Sequence, residues 1–320
     1  PNALRLGFGD VKRNGGAQGI DGVTITTFHS KLEEELIQLS EELRSWHYKP
    51  KPVRRVEIDK PDGGLRLLGI PCIRDRVVQA TLKRLLEPIL TPHFSAHSFG
   101  FIPGRNQTQA VEEAQRIIQS GKEWVVDIDL SKFFDRVNQD RLIGRLSESI
   151  DDKRILRVIG LILRSGTMKD GLVTPTLEGT VQGSPLSPLL SNVVLDELDK
   201  ELENRGLEFC RFADDCNIFV KTPKAAERVM AGITQFIEKK LKLVVNQQKS
   251  QVARSDKVKF LGMTIVNGHR AISLKSMKRA MDKVKTLTLR GTHTKLVEAI
   301  KEINQWYRGW SSYYSMTQFP

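Results

Sequence analysis

The sequence has little of what builds covalent frameworks. Its three cysteines in 320 residues, Cys72, Cys210 and Cys216, have no CxxC spacing and sit in apolar runs. Buried free thiols are therefore expected, not a disulfide framework or a zinc site. No run of about eighteen apolar residues occurs and nothing resembles a secretory leader, which argues against a spanning or exported protein and for a cytoplasmic one. A regular βαβ period and a GxGxxG turn are both missing, which excludes a dinucleotide-binding reading. There is no internal repeat and no low-complexity tract. Acidic residues are in deficit: 38 Asp and Glu against 50 Lys and Arg leave a formal charge of +12. That balance favours a polyanionic partner, nucleic acid or an anionic membrane surface. The chain begins with Pro1 instead of Met and stops at "QFP". Both ends are expected to be cut from something longer.

What is present is enough apolar residue, 39%, for sizeable cores. Phe28, Leu32, Leu36, Leu39, Leu43 and Trp46 fall at helical spacing, so one amphipathic helix is predicted over 25–48, ended by "YKPKP". "VRRVEIDKPDGGLRLLGIP" alternates, pauses at Asp62-Gly63-Gly64 and alternates again, a β-hairpin signal. Helices are predicted at 74–90, 107–120 and 223–241, and one starting at Ser187-Pro188. "LKLVVNQQKSQV" and "KVKFLGMTIVNGHRAIS" read as strands. From Lys275 on, a basic helical module is predicted, carrying Lys278, Arg279, Lys283, Lys285 and Arg290, then an apolar stripe through Leu296, Ile300, Ile303, Trp306, Tyr307 and Trp310. Interspersed strands and helices argue for an α+β fold.

Two places concentrate negative charge in this basic chain. In "EWVVDIDLSKFFDRV", Trp124, Val126, Ile128 and Leu130 share one strand face while Asp127 and Asp129 share the other. In "RFADDCNIFV", Asp214 and Asp215 stand side by side between two apolar runs, a strand–turn–strand pattern. Adjacent carboxylates repel, which a solvated turn tolerates and a divalent cation relieves. If Asp129, Asp214 and Asp215 come from neighbouring strands, they form a hard-oxygen site suited to Mg²⁺ and phosphoryl transfer.

Taken in order, the blocks resemble those of group II intron-type reverse transcriptases along nearly the whole chain. "GAQGIDGVTI" is similar to the N-terminal block, "RRVEIDKPDGGLRLLGIPCIRDRVVQ" and "HSFGFIPGRNQTQAV" to the fingers, and "VVDIDLSKFFDRV" to the first palm aspartate motif. "VQGSPLSPLLSNVVLDELD" resembles the nucleotide-pocket loop and helix, "FADD" the catalytic hairpin, "NQQKSQV" and "KFLGMTIV" the closing palm blocks, and "NQWYRGWSSYY" the start of the thumb, or maturase, region. The resemblance implies a right-hand polymerase fold: fingers over 1–115, a palm with an antiparallel sheet over 116–272, and the start of a helical thumb over 273–320, apparently truncated.

Residue by residue, the resemblance makes Asp129, Asp214 and Asp215 the catalytic metal ligands, with the backbone carbonyl of Leu130 as a further one. It leaves Asp127 and Asp135 out of the ligand set. Phe134 matches the position that blocks a ribose 2′-hydroxyl, Gln182 and Gly183 the loop over the incoming base and sugar, and Lys60 and Arg66 the cations on the triphosphate. Lys249 matches a lysine near the leaving pyrophosphate. Ordinary alternatives remain for these residues: core packing for Phe134, a solvated basic hairpin for Lys60 and Arg66. Two departures stand out: Phe212 where the family usually has Tyr, and Val181 where it usually has Pro.

The implied activity is RNA-directed DNA polymerisation with two Mg²⁺ ions, Mn²⁺ being an alternative ion. The implied partners are an RNA template, a DNA or RNA primer, dNTP and structured intron RNA, with no membrane; homodimerisation is left open. A purely RNA-binding maturase, or a related enzyme of a defence, retron or CRISPR system, are the alternatives. His29, His47, His93, His97, His269 and His293 make no His/Asn/His grouping, so DNA cleavage is not expected.

Overall fold

The computed structural model describes residues 1–59, 63–169, 171–289 and 295–319. In chain order the elements begin α1 (Asn2–Asn14), α2 (Ile25–Ser30), α3 (Leu32–Arg44), β1 (Val53–Asp59), β2 (Leu65–Ile70), α4 (Ile73–Leu90), α5 (Gln107–Gln119), β3 (Trp124–Ile128), α6 (Phe133–Arg136), α7 (Gln139–Ser147) and α8 (Lys153–Leu163). They continue β4 (Thr167–Lys169), β5 (Leu172–Thr174), α9 (Ser187–Asn204), β6 (Glu208–Phe212), β7 (Asp215–Val220), α10 (Pro223–Phe236), β8 (Gln251–Arg254), β9 (Met263–Val266), β10 (His269–Ile272), α11 (Leu274–Leu287) and α12 (Leu296–Tyr313). Helices and strands are interspersed, the α+β character expected. Two compact units divide the chain, each assembled from separate segments: 1–96, 130–201 and 235–245 form the first, and 97–129, 202–234 and 246–320 the second.

In the first unit, α1 lies along α4. The approach is close enough that a Cβ on Gly7 would fall 2.7 Å from the carbonyl oxygen of Val77. The predicted helix over 25–48 is two helices. Thr24 caps α2 by accepting from the Thr27 N–H, and Lys31, at φ −118°, breaks the run. The four-residue apolar spacing survives the break: Phe28 stacks on Phe8 at 5.6 Å, and Leu36 and Leu39 are fully buried. The predicted hairpin is present as antiparallel β1 and β2, in register from Arg54 opposite Ile70 to Asp59 opposite Leu65. Lys60 and Asp62 of its turn lie outside the described residues, as does Arg290 of the basic module. β4 adds to β1 in parallel and β5 pairs with β4, giving the order β2-β1-β4-β5.

The second unit is built on an antiparallel sheet of order β6-β7-β3-β8. Over it lies α5, started by a reciprocal capping box in which Asn106 accepts from the Gln109 N–H and Gln109 from the Asn106 N–H. Ala110, Val111, Ala114, Ile117 and Ile118 of α5 share a core with Val125, Cys210 and Phe219 of the sheet. Val125 lies on the same strand face as Asp127, so the acidic face is not polar throughout: one end is core and only the other opens. The opposite face is buried as well, at Val126 and Ile128. The strand predicted over "LKLVVNQQKSQV" is mostly absent. Asn246 accepts from the Gln248 N–H with its side chain and from the Ser250 N–H with its carbonyl, a turn that delays the strand to Gln251. All three cysteines are free and buried, as expected. Among the described residues no helix is long and apolar enough to cross a membrane.

Candidate active site

The Asp-Asp stretch forms the tight connection between β6 and β7, with Phe212 paired to Asp215. Ala213 sits at φ +57°, the left-handed region in which a residue with a Cβ is strained. Two features hold it there. The guanidinium of Arg211, fully buried, donates to the Ala213 carbonyl at 2.7 Å. Gly100 allows the neighbouring segment to press in, since a Cβ at Gly100 would fall 2.3 Å from the Ala213 nitrogen. That segment runs alongside β6: the Arg211 N–H donates to the His97 carbonyl and the Phe99 N–H to the Arg211 carbonyl.

Asp129 follows the end of β3. Its N–H donates to Ser250 Oγ at 3.0 Å and its carbonyl accepts from the Asn246 N–H at 2.8 Å. The turn that interrupts the predicted strand thus fixes the backbone of Asp129 and brings Lys249 to the same place. Asp127, Asp129, Asp215, Asn217, Lys249 and Lys259 line one cavity of about 460 Å³. Helices α11 and α12 complete its wall with Arg279, Trp306, Trp310 and Tyr313.

The electrostatics of this cavity are those of crowded acids. Withdrawal from bulk water is the first cause, and the charges of Asp214, Asp127 and Asp129 the next, that push the Asp215 carboxyl up to about 6 against the pull of Lys259. Its side chain still reaches solvent at the cavity surface. Asp127 is also pushed up to about 6, by burial first and by the Asp129 charge, while a hydrogen bond from Gln251 opposes the shift. Asn217 is 2% exposed and its Oδ1 has no hydrogen-bond partner. Carboxylate oxygens together with an unmatched amide oxygen are the donor chemistry of a hard divalent cation. Among the described residues, no three His, Cys, Asp or Glu side chains converge as a ready ligand cage. The acids share a cavity, and the fit to a metal rests on their chemistry.

Of the site residues expected from the sequence, Asp129, Asp215 and Lys249 line this cavity; Asp214 does not, though its charge is felt by Asp215. Arg66, Leu130, Phe134, Gln182 and Gly183 belong to the first unit. There the Phe134 carbonyl accepts from the Thr180 N–H, and the Gln182 carbonyl accepts from the Gly69 N–H at 2.9 Å. Gly179, at φ +88°, allows the loop this approach: a Cβ would fall 2.7 Å from the Phe134 carbonyl oxygen. Gln182 lines a second cavity, of about 600 Å³, with Arg55, Lys132 and Arg136. Phe134 meets Phe133 edge-on at 5.3 Å, and Arg66 faces solvent on β2 opposite Ile58. Lys60 lies outside the described residues.

Sequence reasoning missed Arg211, Lys259, Arg279 and Tyr313. Arg211 and Lys259 directly precede the "FADD" and "FLG" stretches, a signal that was available. Arg279 reads only as part of the basic module and Tyr313 only within the "NQWYRGWSSYY" block, because only the placement of α11 and α12 puts them beside the acids.

Residues 58–265 match the model of the family described as reverse transcriptase (RNA-dependent DNA polymerase), and residues 277–320 that of the group II intron, maturase-specific domain. Protein YkfC of Escherichia coli strain K12 is 33% identical over 308 residues, covering 84% of this chain and 79% of that protein. The group II intron-encoded protein LtrA of Lactococcus lactis subsp. cremoris is 27% identical over 371 residues, covering 95% of this chain and 61% of LtrA. The solved structure of telomerase from Candida albicans, with a fragment of telomeric RNA, has a TM-score of 0.55 at 14% identity, covering 90% of this chain and 61% of that one, a likeness of fold. With the polymerase model spanning most of the chain and the maturase model its C-terminal helices, the chain belongs to the reverse transcriptases, RNA-directed DNA polymerases of the group II intron type.

Proposed function

We propose that this reverse transcriptase extends a primer 3′-hydroxyl with dNTPs on an RNA template, using the acids of the carboxylate cavity and its adjoining turn. Asp129, Asp214 and Asp215 hold two Mg²⁺ ions, Mn²⁺ substituting, with the carbonyl of Leu130 as a further oxygen ligand. The chemistry such ions would supply there is a lowered pKa for the attacking hydroxyl and neutralised charge on the transferring phosphate. The single observation that carries this reading is the cavity itself: Asp127, Asp129 and Asp215 line it, and burial first, then the neighbouring negative charges, hold Asp215 up to about 6, an arrangement that a bound cation relieves.

The remaining roles follow from side-chain chemistry. Lys249, a point charge on the cavity wall, stands for the leaving pyrophosphate. Lys60 and Arg66 hold the triphosphate, Arg as a bidentate fork. Phe134 excludes a ribose 2′-hydroxyl, and Gln182 with Gly183 covers the incoming base and sugar. The working division is fingers over 1–115, palm over 116–272 and thumb or maturase region over 273–320. The net charge of +12 supports binding of template and structured intron RNA through phosphates and 2′-hydroxyls, with affinity falling steeply as salt rises. A nucleic-acid substrate of this kind fits a cytoplasmic protein.

The test is extension of oligo(dT) on poly(rA) with dTTP and Mg²⁺, comparing the chain with its Asp214→Ala, Asp215→Ala double variant. Extension by the first alone, with equal RNA binding by both, is the expected result. Equal extension by both would overturn the metal site, and binding without extension by either would reduce the chain to an RNA-binding maturase.

A further inference from the structure

A second strained turn borders the carboxylate cavity. Phe260 and Met263 exchange both backbone hydrogen bonds, each 2.9 Å long, so Leu261 and Gly262 are the two central residues of a hairpin turn. Both are left-handed, Leu261 at φ +50° and Gly262 at φ +82°. This is the backbone of a type I′ turn, whose first central position normally takes Asn, Asp or Gly. A leucine there is held against its own preference, and such strain persists only where surrounding contacts over-determine it.

The contacts that do so come from Tyr313 at the end of helix α12, from Tyr314 after it, and from Ser273 at the start of α11. Tyr313 Oη donates to the Leu261 carbonyl at 3.0 Å. Tyr314 fills the space left by the missing side chain of Gly262, where a Cβ would fall 2.7 Å from its hydroxyl oxygen. The Ser273 N–H donates to the Gly262 carbonyl at 3.0 Å. Leu261, Gly262, Tyr313 and Tyr314 all line the cavity that holds Asp129 and Asp215. The C-terminal helix therefore fixes one wall of that cavity through a hydrogen bond to its backbone, without contributing a charged ligand.

We propose that Tyr313 is a positioning residue for the polymerase reaction, bracing the left-handed Leu261–Gly262 turn so that the cavity wall is pre-shaped for the terminal nucleotide of the primer. The inference rests on the polymerase reading given above. It makes the maturase-region helix part of the catalytic centre's architecture.

The experiment uses the full chain and the Tyr313→Phe variant, which removes the hydroxyl and keeps the ring. Steady-state extension of oligo(dT) on poly(rA) should show the KM for primer–template raised about threefold to tenfold, the range expected from one lost hydrogen bond. The KM for dTTP and the thermal midpoint should stay within error. Adding Leu261→Gly should restore the primer KM to within about twofold, because glycine adopts the turn without a brace. A merely structural tyrosine would lower the midpoint and would not be rescued. Hydrogen exchange of the peptide over 258–264 is read in parallel and does not depend on catalysis: faster exchange in Tyr313→Phe supports the brace. An unchanged primer KM together with unchanged exchange overturns it. If the unmodified chain fails to extend primer at all, the polymerase reading fails, and the exchange measurement alone then decides whether the brace exists.

Discussion

Asp75 in the first unit and Asp215 in the second are both pushed up to about 6, and they differ in what surrounds them. Asp75 on α4 is 1% exposed, and burial is the first cause of its shift. Its neighbours all work the other way: Tyr48 Oη donates to one oxygen at 2.8 Å, the Lys51 N–H to the other at 3.1 Å, and Arg74 and Lys51 add positive charge. Asp215 reaches solvent, and after burial its next causes are three other aspartates. Asp75 is a buried acid with its partners in place. Asp215 sits where like charges have been gathered with Lys259 pulling against them. A raised carboxyl alone therefore does not mark a functional site; the sign of its neighbours does.

The largest effect expected to sharpen that comparison is at Asp129. Replacing it by Asn keeps the shape and removes one of the gathered charges; primer extension should fall by about 10³-fold or more, several kcal/mol of barrier. The thermal midpoint should hold or rise. A variant that keeps most of its rate would break the assignment of the second unit's cavity.

Gly179→Ala acts on the first unit through backbone alone. At φ +88° and within 2.7 Å of the Phe134 carbonyl, the added Cβ should cost about 2–3 kcal/mol, read as a lowered denaturant midpoint. Unchanged stability would mean that the loop is not held where Phe134 and Gln182 need it.

Asp75 offers the contrast in pH. A carboxyl whose folded pKa lies above its unfolded value near 3.8 binds more protons when folded, so its contribution is fully present below about pH 4 and is lost as pH rises towards 6. Unfolding free energy should decline by about 2 kcal/mol over that interval. Asp75→Asn should flatten the slope while shifting the whole curve by a constant amount, with the rate of the folded enzyme unaffected. A rate that falls with Asp75→Asn at full folding would break the comparison from the other side.

Phe134→Ala should have the smallest effect on the fold and a selective one on chemistry. Discrimination of dTTP against UTP, as the ratio of kcat/KM values, should relax by about tenfold to a hundredfold. Equal loss on both nucleotides would make the residue core packing beside Phe133.

Much of this was legible because strand chemistry has a short period. Asp127 and Asp129 alternate with apolar residues, and "RFADDCNIFV" encodes a strand, a turn and a strand locally, so β3, β6 and β7 were visible one at a time. The helix over 25–48 was misread at one residue, since the apolar spacing through Phe28, Leu32 and Leu36 runs unbroken across Lys31 and periodicity carries no mark of the break. "LKLVVNQQKSQV" was misread because its alternation is overruled by the side chain of Asn246, which closes a turn.

By itself the sequence determined the family, the excess of positive charge, the two clusters of aspartates and the absence of thiol or histidine metal frameworks, because each is a matter of residue type at short spacing. Only the tertiary structure decided that β7 pairs with β3 and sets Asp215 near Asp129, that the turn at Asn246 brings Lys249 to them, and that Tyr313 reaches the Leu261 carbonyl 52 positions away in the chain. Those contacts depend on how the elements pack, and no local pattern encodes a partner at that separation.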